Sequence, residues 1–149
     1  MSTETMRAEA YDLYRARLEV ITGIPKTDSD HDIREVIKVG SQTYSLVPFL
    51  KYCTDSLPDC LDIISSGIPN EESSPHQPFS VGDSALWFRV AHIVALAESI
   101  FGNGTKARRW LMAPKKVFSG AAPMAMVSTI EGVQKVEQML IQAMEGITF

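Results

Sequence analysis

VGDSALWFRVAHIVALAESIF, residues 81–101, contains the most apolar segment of the chain and predicts a long helix at the centre of the core. Ser80 and Asp83 have the spacing of a capping box, in which the serine covers the N3 amide and the carboxylate reaches back. Gly102 is a suitable end for this helix, because glycine readily adopts the left-handed backbone. Apolar residues lie almost all round the helix, so we expect it to be buried by its neighbours.

Polar side chains interrupt this helix at a few positions. Arg89, His92 and Glu98 make it a poor membrane span, because a charged group is costly to place in hydrocarbon. Arg89, His92 and Ser99 form a thin stripe along the helix. We interpret this stripe as a hydrogen-bonded polar seam in a helical core, which is favoured over a catalytic role.

No set of side chains in the sequence has the arrangement of a catalytic or metal site. Cys53, Cys60, His76 and His92 match no zinc-binding spacing, which has closely paired ligands. Cys53 and His92 could meet as nucleophile and base, but no third residue is placed to orient them. Residues 102–106, GNGTK, lack the glycine spacing of a phosphate-binding loop. We therefore predict no catalytic residue, no metal and no cofactor.

Helical spacing continues along most of the rest of the chain. The other predicted helices cover residues 4–21, 30–39, 45–53, 56–65 and 106–112 (capped by Thr105), with one or two turns at 122–127 and a last helix opened by a capping box at 128–131. Apolar stripes at three- and four-residue steps are formed by Met6, Tyr11, Leu13, Tyr14, Leu18 and Ile21 in the first helix and by Val133, Val136, Leu140, Ala143 and Ile147 in the last. No segment alternates convincingly between apolar and polar residues, so the predicted fold class is all-α.

Length and composition fit one ordinary domain, or two small domains that share a core. The chain has 149 residues, of which 45% are hydrophobic. The composition shifts near residues 67–80, which predicts an N-terminal unit at 1–79 and a C-terminal unit at 80–149. Because the helix at 81–101 is so apolar, we expect the two units to pack together. No apolar stretch follows the polar first residues, so we expect a cytoplasmic protein without membrane contact.

Charge is distributed unevenly in a chain whose formal net charge is −4. Residues 52–88 contain six acidic residues and no lysine or arginine, and a nucleic-acid backbone would repel such a stretch. Residues 106–116, in contrast, carry a basic cluster without an intervening acid. Its members are Lys106, Arg108, Arg109, Lys115 and Lys116. The basic cluster is either a solvated helix face or a contact surface for phosphates or an acidic partner.

The last third of the chain carries a long and particular pattern. It consists of KARRWL at 106–111, Pro114, Phe118-Ser119-Gly120, Pro123-Met124, Thr129, Glu131-Gly132, Val136-Glu137, Leu140 and Gly146. From Val81 to Phe149 the chain resembles the toxin-binding domain of the Xre/MbcA/ParS antitoxin family. YRARL at 14–18 and GIP at 23–25 are similar to the longer members that are encoded beside RES-domain toxins.

The resemblance implies an antitoxin of a type II toxin–antitoxin system and not an enzyme. Members of the family bind a RES-domain toxin, which degrades NAD or uses it to ADP-ribosylate a target, and they cover its active site. Carried over to this sequence, the toxin-binding residues are Arg109, Glu131, Val136, Leu140, Gly146, Ile147, Thr148 and Phe149. Trp110 and Pro114 are expected to hold the shape of the domain. The implied partner is a cognate RES-domain toxin in a hetero-oligomer.

The resemblance also implies an N-terminal helix-turn-helix of the Xre or Cro/C1 type, which often forms a homodimer and represses its own operon. Its recognition segment is usually basic, whereas the corresponding residues 68–75 are IPNEESSP here. We therefore expect a degenerate helix-turn-helix, in a protein that either no longer binds DNA or binds it through Lys106, Arg108, Lys115 and Lys116. The alternative function is a transcriptional repressor whose main partner is operator DNA.

Overall fold

The computed structural model describes residues 8–40, 47–56 and 81–144, and every regular element within these ranges is helical. The α-helices are α1 (Ala8–Thr22), α2 (Asp30–Val39), α3 (Val47–Ser56), α4 (Val81–Phe101), α5 (Gly104–Met112) and α6 (Ile130–Met144). Two 3₁₀ helices, Lys116–Phe118 and Pro123–Ser128, lie between α5 and α6. The predicted all-α fold class is confirmed.

Helix α4 is the centre of the fold. Helices α1 and α2 pack against it from the N-terminal half, and α5, α6 and the second 3₁₀ helix pack against it from the C-terminal half. Its side chains from residue 90 to residue 97 are at most 1% exposed, so one continuous core joins the two halves. The prediction that the two halves pack together is confirmed. The predicted boundary between residues 79 and 80 lies outside the described residues.

Local capping chemistry sets the ends of two helices at the predicted residues. Ser29 begins α2 by accepting a hydrogen bond from the Asp32 amide at 3.1 Å. Gly40, with a φ of +86°, ends α2, and Gly102, with a φ of +65°, follows the last residue of α4. Both glycines have the positive φ that other residues adopt only with strain. The predicted helices at 30–39 and 81–101 are therefore confirmed.

Two of the predicted caps are wrong by one or two residues. Asn103, and not Thr105, caps α5, because its Oδ1 accepts a hydrogen bond from the amide three residues further on, at 3.0 Å. Thr129, and not Ser128, caps α6, because its Oγ1 accepts a hydrogen bond from the Gly132 amide at 3.0 Å. In each case two neighbouring residues have suitable capping chemistry, and the backbone path selects between them.

The predicted apolar stripes lie largely in the core. Tyr14, Leu18 and Ile21 of α1 are at most 2% exposed. Leu13 is 60% exposed, so its predicted place in the stripe is wrong. It precedes Tyr14 in the sequence and therefore lies on a different side of α1 from the residues that pack on α4. The stripe positions of α6 that are buried are Val133, Val136 and Leu140.

Several predicted features lie outside the described residues, namely the capping residue Ser80, the DNA-recognition segment at 68–75 and the helix at 56–65 beyond Ser56, which is the last residue of α3. Among the helices that the structure describes, none combines the length and the apolar character needed to cross a membrane. In the same part of the chain, no three His, Cys, Asp or Glu side chains lie together as metal ligands would.

Candidate functional site

A buried seam of four polar side chains crosses the core and joins α1, α2, α4 and α6. The Tyr14 hydroxyl lies 2.5 Å from Nδ1 of His92, and Nε2 of His92 lies 3.3 Å from Oε1 of Glu137. Arg34 donates from Nη1 and Nη2 to the two carboxylate oxygens of Glu137, at 3.1 Å each. Glu137 is 0% exposed, so protein groups alone hold this carboxylate.

The buried seam shifts the pKa values of its acidic groups. Burial raises the pKa of Glu137, but the neighbouring His92 ring and the hydrogen bonds and charge of Arg34 outweigh burial and hold the pKa below its ordinary value of 4.5. Burial raises the pKa of the Tyr14 hydroxyl well above its ordinary value of 10.0. Near neutral pH, Glu137 is therefore ionised and Tyr14 is neutral. These groups bind one another, so the seam connects helices.

Arg89 of α4 binds two other segments through backbone carbonyls. Its Nε donates to the carbonyl of Ile37 at 2.7 Å, and its Nη2 donates to that of Lys38 at 3.3 Å. Its Nη1 donates to the carbonyl of Ser128, the last residue of the second 3₁₀ helix, at 3.0 Å. The guanidinium thus satisfies carbonyls at the end of α2, which lack partners within that helix. The predicted polar seam along α4 is confirmed.

A second buried carboxylate, Glu98, joins α1, α3 and α4. Arg17 donates from Nε to Oε2 of Glu98 at 2.7 Å, and the Tyr52 hydroxyl donates to Oε1. Burial, together with the neighbouring Glu98 carboxylate, raises the pKa of Tyr52 to about 12. An open groove of about 370 Å³ lies beside Arg17 and Glu98, between Leu13 and Asn103. The three side chains Arg17, Tyr52 and Glu98 bind one another, so their role is structural.

Helix α6 has one buried side and one polar side. A Cβ at Gly132 would overlap the carbonyl oxygen of Met126, so only glycine lets α6 approach the second 3₁₀ helix this closely. The outer face of α6 is exposed and consists of Glu131, Gln134, Lys135 and Gln138. This outer face is available for a partner without any change in the core.

The basic cluster lies on α5 and on the turn that follows it. Lys106, Arg109 and Lys116 are exposed. The Lys115 ammonium lies 4.9 Å from the centre of the Trp110 ring, within the range of a cation–π contact. An open depression of about 420 Å³ on α5 is lined by Thr105, Arg108, Arg109, Met112 and Ala113. Cationic and apolar groups therefore alternate on this surface.

The segment that contains α5 and α6 is similar to known proteins. Residues 96–146 match the family described as antitoxin Xre/MbcA/ParS C-terminal toxin-binding domain. A relative, Antitoxin Xre of Pseudomonas putida (strain KT2440), is 38% identical over 146 residues, which cover 98% of this chain and 92% of that protein. The chain belongs to the Xre-like antitoxin family. It is an antitoxin of a toxin–antitoxin system, and its family indicates a regulatory protein with a toxin partner rather than an enzyme.

The predicted toxin-binding residues of the antitoxin occupy different environments. Arg109 on α5 and Glu131 at the start of α6 are exposed. Val136 and Leu140 are 0% exposed and pack in the core, so they offer no surface to a partner. Their predicted contact with a toxin stays a prediction, and in the structure both side chains belong to the core. Residues 146–149 lie outside the described residues.

The pairing of Arg34 with Glu137 is not among the features predicted from the sequence. A signal for it is present, since Glu137 lies four residues after Val133 and three before Leu140, on the apolar stripe of α6. A carboxylate at such a position requires a buried hydrogen-bonding or cationic partner. Helical spacing does not identify that partner, because Arg34 is 103 residues away in the chain.

Proposed function

We propose that this antitoxin neutralises a RES-domain toxin, an enzyme that degrades NAD or uses it for ADP-ribosylation, by covering the entrance to the toxin's active site in the cytoplasm. The observation that carries the proposal is the match of residues 96–146 to a toxin-binding domain in which α6 has an exposed polar face. The motifs at 14–18 and 23–25, which resemble antitoxins encoded beside RES-domain toxins, support this class of partner.

The rigidity of α6 supports inhibition by occlusion. Thr129 caps the helix, Gly132 lies against the Met126 carbonyl, and Arg34 binds Glu137. A helix that is already ordered loses little conformational entropy when a partner binds. More of the contact free energy therefore remains as affinity.

The proposed contact surface consists of the outer face of α6, Arg109 and the tail at 146–149. Arg109 borders the depression on α5, where its guanidinium can bind a carboxylate of the toxin. Phe149, in the tail after α6, is proposed as an anchor, since an aromatic ring buries a large apolar area with few rotatable bonds. Val136 and Leu140 support this surface from inside the core.

Neutralisation is tested by expressing the antitoxin together with a RES-domain protein encoded beside it. Co-expression is expected to restore growth and cellular NAD, and the purified proteins are expected to elute as one complex in gel filtration. Separate elution together with continued NAD loss would contradict the proposal.

The contact surface is tested with two variants, Arg109→Glu and a deletion of residues 147–149. Each is expected to weaken toxin binding by about tenfold or more, measured by calorimetry. Lys26→Glu reverses an exposed cation in the N-terminal half and is the matched control, with a change within about twofold. A variant that binds as tightly as the control removes its residues from the proposed surface.

Repression of the antitoxin's own operon is a second proposal, and the repressor alternative makes it the main role. It is supported by residues 99–130, which carry five cations and no acid, with Lys106 and Lys116 exposed. We propose a homodimer, and a hetero-oligomer with toxin, in which several basic clusters act together on operator DNA. A gel shift with the upstream DNA at low salt tests this role. Absence of a shift for antitoxin and complex alike contradicts it.

A further inference from the structure

We infer that Arg34, on α2, is a positioning residue for toxin binding, because it fixes α6 through Glu137. The inference rests on the proposed function in one respect, namely that the outer face of α6 contacts the toxin. It places part of the toxin-binding unit in the N-terminal half, outside the matched residues 96–146.

The contact between Arg34 and Glu137 is bidentate. Both terminal nitrogens of the guanidinium donate to the carboxylate, at 3.1 Å each. A planar fork of this kind fixes the rotation of the carboxylate as well as its distance, which a single hydrogen bond does not. The side chain of Arg34 is 26% exposed and that of Glu137 is 0% exposed, so Arg34 reaches from the edge of the protein into the core.

Glu137 lies on the side of α6 that is turned away from the outer face. Because an α-helix is stiff, fixing one buried side chain near its middle also fixes the direction of the neighbouring exposed side chains Gln134 and Gln138. Without Arg34, an ionised carboxylate would remain buried beside His92 with one partner fewer. Loss of this partner removes the contact that holds α6 to α2 and makes the present position of the carboxyl group less favourable.

Arg89 of α4 makes a second connection, between the end of α2 and the 3₁₀ helix that precedes α6. Its guanidinium binds the carbonyls of Ile37 and Lys38 at the end of α2 and the carbonyl of Ser128, the last residue of the second 3₁₀ helix. A single contact would allow α6 to pivot on α2, whereas a second contact at the segment that leads into α6 limits that movement. Arg34 therefore sets the rotation of α6, and Arg89 holds the end of the 3₁₀ helix that leads into it.

Hydrogen exchange in the free antitoxin gives the first test, with Arg34→Met in the full chain. Arg17→Met is the matched control. Arg17 of α1, like Arg34 of α2, binds a buried glutamate through its guanidinium, but that glutamate is Glu98 of α4 and not a residue of α6. Arg34→Met is expected to speed amide exchange in α6 by about tenfold and to leave α5 within about twofold. Arg17→Met is expected to leave exchange in α6 within about twofold.

Affinity for the purified RES-domain toxin gives the second test. Arg34→Met is expected to weaken binding by about tenfold. Arg17→Met is expected to weaken it by less than about threefold, when the two variants are compared at conditions in which they are equally stable. Arg34→Lys keeps the charge but not the fork, so it should recover part of the exchange protection of α6. It also replaces Arg34→Met in both tests if that variant does not fold.

Two results would overturn the inference: unchanged exchange in α6 of the folded variant, or equal losses of affinity for Arg34→Met and Arg17→Met. Failure of the parent antitoxin to bind a RES-domain toxin would overturn the proposed function instead. The exchange measurement needs no toxin, so it still decides whether Arg34 positions α6.

Discussion

Helices α4 and α6 both contribute to the core, but they do so in different ways. The middle of α4 is buried on all sides, and its polar groups at Arg89, His92 and Glu98 bind other segments of the same chain. Helix α6 buries one side against α4 and exposes a polar outer face. Its buried charge, Glu137, is held by Arg34 of α2.

This difference shows how the chain separates folding from recognition. Any substitution in the middle of α4 changes internal packing, because every side of that segment packs against a neighbour. In α6, by contrast, the inner side determines stability while the outer face can vary with the partner. The comparison predicts that substitutions on the two sides of α6 affect different measurements.

The largest effect is expected where the two helices are alike, in their apolar contacts. Leu96→Ala in α4 and Leu140→Ala in α6 each truncate a side chain that is 0% exposed. Each is expected to lower the free energy of unfolding by about 2–5 kcal/mol, because a cavity adds to the lost burial. Urea denaturation measures the loss. If Leu140→Ala loses no more unfolding free energy than a surface variant does, α6 packs only loosely on α4.

The next effect tests the buried charge that distinguishes α6. Glu137→Gln is expected to lower the free energy of unfolding by about 2–3 kcal/mol at neutral pH, since Arg34 loses its ionic partner. The folded pKa of Glu137 is below 4.5, so its contribution is fully present above that pH and is lost as pH falls through the lowered pKa. Parent and variant should therefore converge in stability under acidic conditions, measured by denaturation at several pH values. A gap that stays constant with pH would contradict this.

A smaller effect is expected at the close approach of α6 to the second 3₁₀ helix. Gly132→Ala places a methyl group against the Met126 carbonyl and is expected to lower stability by about 1–3 kcal/mol. Gly104→Ala is the matched control, because its Cβ would lie 4.0 Å from the nearest atom, Oε1 of Glu98. That control is expected to change stability by less than about 0.5 kcal/mol. Thermal denaturation of both variants measures the difference, and equal melting temperatures would argue against the close approach.

The smallest effect on stability is expected on the outer face of α6. Gln138→Ala should change the free energy of unfolding by less than about 0.5 kcal/mol, because its side chain is exposed. The same variant is expected to weaken toxin binding measurably. It would thus change affinity more than stability, whereas a core substitution mainly lowers stability. Calorimetry and denaturation of one sample provide both values. Unchanged affinity would move the contact surface away from this part of α6.

Sequence patterns predict the helices whose ends carry strong local signals. The bounds of α2 and α4 follow from Gly40 and Gly102, which have a positive φ in the structure. The predicted start of α5 is too late because Thr105 and Asn103 have similar capping chemistry. The prediction for Leu13 is wrong because spacing alone does not tell which side of α1 meets α4. These errors lie where local chemistry is balanced and tertiary packing decides.

The site is less predictable from the sequence than the fold. The exposed positions of Arg109 and Glu131 agree with a role at the surface, while Val136 and Leu140 are core residues. Residues of a family pattern include both those that touch a partner and those that hold the domain together, and a sequence does not separate them. Only the three-dimensional arrangement shows that Glu137 binds a cation from α2.

The stacking of Lys115 on Trp110 gives the antitoxin an internal optical probe. The emission of an indole responds to a nearby charge, and this ammonium lies 4.9 Å from the ring centre, at the basic end of the toxin-binding domain. The chain has two tryptophans, and the other, Trp87, is 4% exposed on α4. In a Trp87→Phe background, fluorescence would therefore report when a ligand displaces Lys115, with no dye attached to the protein.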